Sequence, residues 1–181
     1  MLYKFLSGLA KGVTHCIFRV KVVGKENVPK DGGMILAVNH KSNWDPIFAG
    51  AYCPRPLRFM AKADLFKNKL FGGLIKKLGA FPIQRGRGDI GAIKGAFSIL
   101  KNNDAMLIFP EGHRIKNGKR VKAKLGVSMI AVYAKVPVIP LCISGEYKPF
   151  HKVTVTFGKP ITFEEYYGKK PDNETLQTLA D

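Results

Sequence analysis

Met34-Ile-Leu-Ala-Val38, running without a break into Asn39-His40-Lys41-Ser42-Asn43-Trp44-Asp45-Pro46, is the stretch that decides the fold. Five consecutive apolar residues between the Asp31-Gly-Gly33 turn and a polar loop read as a strand buried on both faces. Asp45-Pro46 then opens a helix, because an Asp cap followed by proline at the first helical position is a strong start signal. A doubly buried strand feeding a helix is half of a βαβ unit, and repeated units of that kind build a parallel sheet.

The same alternation continues in both directions. Arg19–Val23 reads as a short strand before Met34, and Leu57–Ala63 as the next one after the helix. Leu65, Phe66, Leu70, Phe71, Leu74, Ile75 and Leu78 mark an amphipathic helix closed by Gly79. Ala80–Arg85 is strand-like, and Asp89 caps a helix in which Ile90, Ile93, Phe97 and Leu100 face the core up to Asn102-Asn103. Ala105–Pro110, Val136–Ile143 and Val153–Pro160 are further strands, with a helix over Lys124–Ala134. Glu164-Glu165 begins a short helix and Asn173–Asp181 a last one. No repeat or linker interrupts this pattern. The expected architecture is a single α/β domain, a mixed but mostly parallel sheet flanked by helices, with an N-terminal amphipathic helix.

That first helix spans residues 1–20. Leu2, Phe5, Leu6, Leu9, Val13, Cys16, Ile17 and Val20 fall on one face, with Lys4, Ser7, Lys11, His15 and Arg19 largely away from it. Two readings stay open: docking onto the domain's own core, or lying in a membrane interface. No run of about 18 apolar residues exists to span a bilayer, and lysines interrupt the segment too often for a signal peptide.

Thirty Lys and Arg against thirteen Asp and Glu leave a net charge of +17. That excess favours an anionic partner: nucleic acid, an acidic membrane surface, a phosphorylated substrate or an acidic carrier protein. Nucleic acid is disfavoured, because no helix-turn-helix, RNP-like or zinc-finger pattern is present and the basic residues are not interleaved with aromatics. Cys16, Cys53 and Cys142 form no CxxC pair and no metal-ligand spacing with the histidines, so reduced, mostly buried thiols and no metal are expected.

In open α/β sheets ligands collect beyond the carboxyl ends of strands, and three reactive groups fall there. His40 and Asp45 cannot meet on one straight helix, since five residues turn about 500°. They meet if the strand ends at His40 and the loop folds back, so that the carboxylate holds one ring nitrogen as N–H and frees the other to accept a proton. Otherwise Asp45 is only a helix cap. Arg85, in Gly79-Ala-Phe-Pro-Ile-Gln-Arg85-Gly-Arg87-Gly-Asp89, sits in a glycine-rich turn suited to bidentate phosphate binding, or is an ordinary surface arginine. Phe109-Pro-Glu-Gly-His-Arg114 makes a tight turn that presents Glu111 and Arg114 at the same edge.

Together, in this order, these groups resemble the glycerolipid acyltransferases, the lysophosphatidic acid acyltransferases and their relatives. That family carries NHxxxxD, then an apolar segment from glycine to arginine, then FPEG[ST]R[ST], then an apolar strand of VPxxP type. Asn39–Asp45, Gly79–Arg85, Phe109–Arg114 and Val136-Pro-Val-Ile-Pro140 match them, and the resemblance runs from about residue 20 to residue 162. His113 and Ile115 depart from it, replacing the family's two hydroxyl residues.

The resemblance implies an acyltransferase domain over residues 21–181. It would move a fatty acyl group from acyl-CoA or acyl carrier protein to the sn-2 hydroxyl of 1-acylglycerol 3-phosphate, or of another lysophospholipid or glycerol 3-phosphate itself. It further implies His40 as general base and Asp45 as its orienting partner. Arg85, Glu111, Gly112, Arg114 and, less directly, Lys62 would serve the acceptor, at the cytoplasmic face of a membrane. A thioester is already activated, so no cofactor is expected, and no GxSxG elbow suggests a covalent serine intermediate. The alternatives of other classes are a basic nucleic-acid-binding domain and a lipid-binding module without activity.

Overall fold

The computed structural model describes residues 2–83, 90–115 and 121–181. Helix α1 (Leu2–Ile17) leads into β1 (Arg19–Val23), and β2 (Met34–Val38) into α2 (Asp45–Tyr52). Then come β3 (Leu57–Lys62), α3 (Lys69–Lys77), β4 (Ala80–Ile83), α4 (Ile90–Lys101) and β5 (Ala105–Ile108). The chain closes with α5 (Gly126–Ala134), β6 (Val138–Gly145), β7 (Lys152–Phe157) and α6 (Asn173–Ala180). The strands form a seven-stranded sheet in the order β1-β7-β6-β2-β5-β3-β4. β6, β2, β5, β3 and β4 run parallel, while β7 is antiparallel to β6 and carries β1 parallel to itself.

Alternation along the central strands divides the interior in two. Met34, Leu36 and Val38 of β2, Leu107 of β5, and Ile139, Leu141 and Ile143 of β6 face one layer, shared with Phe18 and with Phe48, Ala49 and Tyr52 of α2. Ile35, Met106 and Val138 face the other, against Ala96 and Leu100 of α4, Ile130 and Ala131 of α5, and Leu176 of α6. A doubly buried strand needs apolar residues at every position, which is why Met34–Val38 shows no polar alternation.

Several expectations are corrected. The helix expected over 65–78 is broken: a 3-10 turn covers Ala63–Phe66, and α3 restarts at Lys69. Asn68 is the cause, since its side chain accepts from the amides of Leu70 and Phe71 at 3.1 and 3.0 Å and so begins a new helix. Gly79 closes α3 as expected, at φ +94°, where a Cβ would lie 2.8 Å from the carbonyl oxygen of Leu57. Ile90 does not face the core; it is 67% exposed, and Ala96 and Leu100 bear the buried face of α4. Cys16 and Cys142 are exposed, leaving only Cys53 buried. The expected Asp89 cap lies outside the described residues.

The face by which α1 docks also differs from the one its apolar stripe suggested. Beside Ala10 and Ile17, which pack on the core, its inner face carries Tyr3, Ser7 and Thr14, whose hydroxyls bond the Leu57 amide of β3 (3.0 Å) and, on α2, the Gly50 carbonyl (2.9 Å) and the Tyr52 hydroxyl (2.8 Å). His15 reaches the Tyr52 hydroxyl at 2.7 Å. Leu2, Phe5, Leu9 and Val13 remain 41–69% exposed. Helical periodicity groups apolar residues into a stripe without fixing what covers it. Here hydroxyls that needed buried partners took the inner face.

Candidate active site

β2 and β5 lie side by side at the centre of the sheet, and the loops leaving their carboxyl ends meet. Asn39 continues the pairing of β2 with β6 through its side chain. Its Nδ2 donates to the Ile143 carbonyl at 3.1 Å, and its Oδ1 accepts from the Ile143 amide at 2.7 Å. The next residues then turn back. Lys41 Nζ donates to the Gly145 carbonyl at 2.6 Å, which pins the loop to the end of β6.

Inside this turn His40 Nδ1 lies 2.9 Å from Asp45 Oδ2. That same oxygen accepts the amides of Lys41 at 2.6 Å and Ser42 at 2.7 Å. Asp45 Oδ1 accepts a short hydrogen bond from the Tyr147 hydroxyl. Asp45 therefore does not cap α2: its carboxylate points back over the loop, whose amides would otherwise be buried without acceptors. Burial pushes its carboxyl pKa up, but the bonds from His40, Tyr147, Ser42 and Lys41 outweigh that and hold it below the usual carboxylate value. Burial and the neighbouring carboxylate both push the Tyr147 phenol up, so it remains a protonated donor.

A carboxylate only accepts, so His40 carries its proton on Nδ1, and Nε2 is left as a base. Nε2 has no partner among the described residues. The ring stacks on Phe109 with centroids 3.9 Å apart and planes 20° apart, which fixes its tilt. It borders a cavity of about 230 Å³ lined by His40, Met60, Ile83, Leu107, Phe109, Gly112 and Lys124, among others. An apolar cavity of about 380 Å³ shares Leu107 with it and extends between α1, α2 and α3 along Leu6, Ile47, Phe59, Phe71 and Ile75.

The turn after β5 is tied to the His40–Asp45 loop at two points. The Ile115 amide donates to the His40 carbonyl at 2.7 Å, and Arg114 Nη1 donates to Asn43 Oδ1 at 3.0 Å. Gly112 has φ +71°, and a Cβ there would sit 2.8 Å from Lys124 Cε and Nζ, so glycine makes room for that ammonium. Glu111 Oε2 is buried without a partner among the described residues.

Of the residues expected from sequence, His40, Asp45, Glu111, Gly112 and Arg114 are thus brought together. Lys62 is not: its side chain is 58% exposed, pairs with Asp64 at 2.5 Å and does not line the cavity. Arg85 lies outside the described residues. Sequence reading missed Tyr147, 102 positions from Asp45, and Lys124 as a cation at the cavity. Tyr147 sits in no motif and is brought in by the pairing of β6 with β2, whereas Lys124 opens the Lys124-Leu-Gly126 flank after the third motif and is held at the cavity by its amide's bond to the Pro110 carbonyl at 2.9 Å.

Comparison with known proteins bears on the same residues. The family model described as Acyltransferase matches residues 19–144. A 1-acyl-sn-glycerol-3-phosphate acyltransferase of Streptococcus pneumoniae is 34% identical over all of this chain and 70% of its own length. One of Bacillus subtilis is 31% identical over 99% of this chain and 92% of its own. The crystal structure of the 1-acyl-sn-glycerophosphate acyltransferase PlsC of Thermotoga maritima superposes with a TM-score of 0.74 at 26% identity, covering 98% of this chain and 76% of that one. With the matched segment holding His40, Asp45 and the Glu111–Arg114 turn, this chain belongs to the acyltransferase family.

Proposed function

We propose that the protein transfers a fatty acyl group from a thioester, acyl-CoA or acyl carrier protein, to the sn-2 hydroxyl of 1-acylglycerol 3-phosphate, giving phosphatidic acid. The observation that carries this reading is the Nε2 of a carboxylate-held imidazole, without a partner among the described residues and half-buried at the edge of a cavity of about 230 Å³, in a chain whose relatives bear that name.

His40 Nε2 takes the hydroxyl proton as the alkoxide oxygen attacks the thioester carbonyl. The C–O bond forms, the C–S bond breaks, and His40 returns the proton to the departing thiolate. Asp45 balances the imidazolium in between, and a positioned base of this kind gives roughly 10²–10⁴-fold. Arg114 and Lys124, with Arg85 by its place in the sequence just after Ile83, supply cations for the acceptor phosphate. Glu111 contributes a buried acceptor at the turn. The apolar cavity suits an acyl chain, since it is lined almost wholly by apolar side chains and shares Leu107 with the cavity that His40 borders.

The surface supports work on one membrane leaflet. No helix among the described residues is long and apolar enough to cross a bilayer. Leu2, Phe5, Leu9 and Val13 of α1 are exposed, as are Leu70, Phe71 and Leu74 of α3, and these same two helices line the apolar cavity. Interfacial insertion of those faces would put the cavity's walls against the lipid that supplies the substrate.

A panel crossing several lysophospholipids and glycerol 3-phosphate with both labelled donors tests the reading. Transfer to 1-acylglycerol 3-phosphate should dominate and vanish in His40→Ala. Preference for another acceptor, or a His40→Ala protein within about two- to threefold of the parent, would refute it.

A further inference from the structure

At its β1–β7 end the sheet turns a basic face to solvent. Val20 and Val22 of β1, Val153 and Val155 of β7, and Ile143 of β6 all point into the layer shared with α1 and α2. Strand alternation therefore turns Arg19, Lys21, Lys152, Thr154, Thr156 and Ser144 to the opposite face. Arg19, Lys21 and Lys152 are exposed there, and none has an acidic partner among the described residues. Arg19 is in register with Lys152 and Lys21 with Thr154 on the neighbouring strand, so like charges are held side by side. Such an arrangement is unfavourable until an anion covers it. Arg19, Lys21 and Lys152 also line a groove of about 750 Å³ that wraps the β1 edge of the sheet, where it meets His15 of α1, Phe18 and His151, with Phe150 70% exposed.

This face joins the catalytic edge. Arg19 and Lys152 begin β1 and β7, and the antiparallel pairing of β7 with β6 sets Val153 opposite Gly145, to whose carbonyl Lys41 is bonded. β1 lies three strands from β2, or roughly 14 Å at about 4.8 Å per strand. A flexible arm crosses such a gap, and a rigid docked body does not.

We propose that this basic sheet face docks an acidic carrier protein that presents the acyl thioester to His40 on a phosphopantetheine arm. The proposal rests on the thioester-donor reading above. A lipid headgroup is the poorer occupant, because the exposed apolar side chains of α1 (Leu2, Phe5, Leu9 and Val13) and of α3 (Leu70, Phe71 and Leu74) do not line this groove. A free nucleotide is also poorer, because small ligands need concave sites that bury most of their surface, whereas this groove is open along its length. An acidic protein surface matches three exposed cations set together on one sheet face.

The test uses the full chain and Lys21→Glu/Lys152→Glu, with Lys21→Gln/Lys152→Gln as the milder pair should reversal impair folding. Fluorescence anisotropy of a labelled, unacylated carrier protein should show binding to the parent that weakens about tenfold or more in the reversal variant, and less in the glutamine variant. The apparent KM for acyl carrier protein should rise in parallel, while those for acyl-CoA and lysophosphatidate and the affinity for anionic vesicles stay within about twofold. Unchanged carrier affinity overturns the proposal. So does an equal rise for acyl-CoA, which would make the face a site for the shared arm, or a parallel loss of vesicle binding, which would make it a headgroup surface. Absence of turnover with every donor would refute the transfer reading, while the anisotropy would still decide the docking.

Discussion

Replacing Tyr147 with Phe removes one atom from the interior and isolates its contribution. Asp45 has no exposed surface, and its two oxygens are unequally supplied. Among the described residues, Oδ2 accepts from His40, Lys41 and Ser42, whereas Oδ1 has the Tyr147 hydroxyl alone. A hydrogen bond to a charged group contributes about 1.5–3 kcal/mol, and a buried oxygen left without a donor puts the expected loss in the upper part of that range. The ring itself keeps its place, packed between Phe18 and Phe48 with the Lys41 ammonium 4.7 Å above it, so no cavity term adds. The sign of the pH dependence follows from linkage. The folded pKa of Asp45 is depressed, so its stabilisation is full above the unfolded carboxyl pKa and is lost as pH falls through the folded value. Without Tyr147 that folded pKa rises. Urea unfolding of the two proteins should therefore differ by about 2–3 kcal/mol at neutral pH, with the gap closing as pH falls through the carboxylate range. A difference under about 0.5 kcal/mol, or one that persists unchanged in acid, would refute the argument.

Asp45→Asn should leave the fold intact, because one amide oxygen still accepts from the Lys41 and Ser42 amides, yet kcat should fall by roughly two to four orders of magnitude as the imidazolium loses its counter-charge. Steady-state kinetics beside a thermal melt would show it. Exchanging Phe5, Leu9 and Val13 for serine should cut vesicle flotation sharply while leaving the melting temperature nearly unchanged, since these side chains are already in solvent. A large drop in stability would show instead that they cover the core. Thiol titration of the native protein should label Cys16 and Cys142 and leave Cys53 until unfolding, because burial pushes the Cys53 thiol up to about 11.

Much of this was legible in the chain. Met34–Val38 is apolar at every position, and only a strand packed on both faces uses such a run, so the layered α/β architecture followed from it. For His40 and Asp45 the spacing allowed a loop that returns but left a helix cap equally open, and it was the resemblance carried by the ordered motifs that read them as a pair. Tertiary structure decided what that pair is attached to. Tyr147 comes from the loop after β6, and nothing within its own neighbourhood marks it, because its partner is set by which strands lie side by side. The orientation of α1 was likewise undecidable from its stripe: amphipathic period fixes which residues share a face, but the hydroxyls of Tyr3, Ser7 and Thr14 found acceptors and donors on α2 and β3. The uncovered basic face is tertiary for the same reason. Arg19 and Lys21 share β1, but Lys152 is far from them in sequence, and only the parallel pairing of β1 with β7 sets the three together. Local pattern determines which elements form, because propensity and periodicity act over a few residues; what each element meets depends on contacts between distant parts of the chain, which carry no local mark.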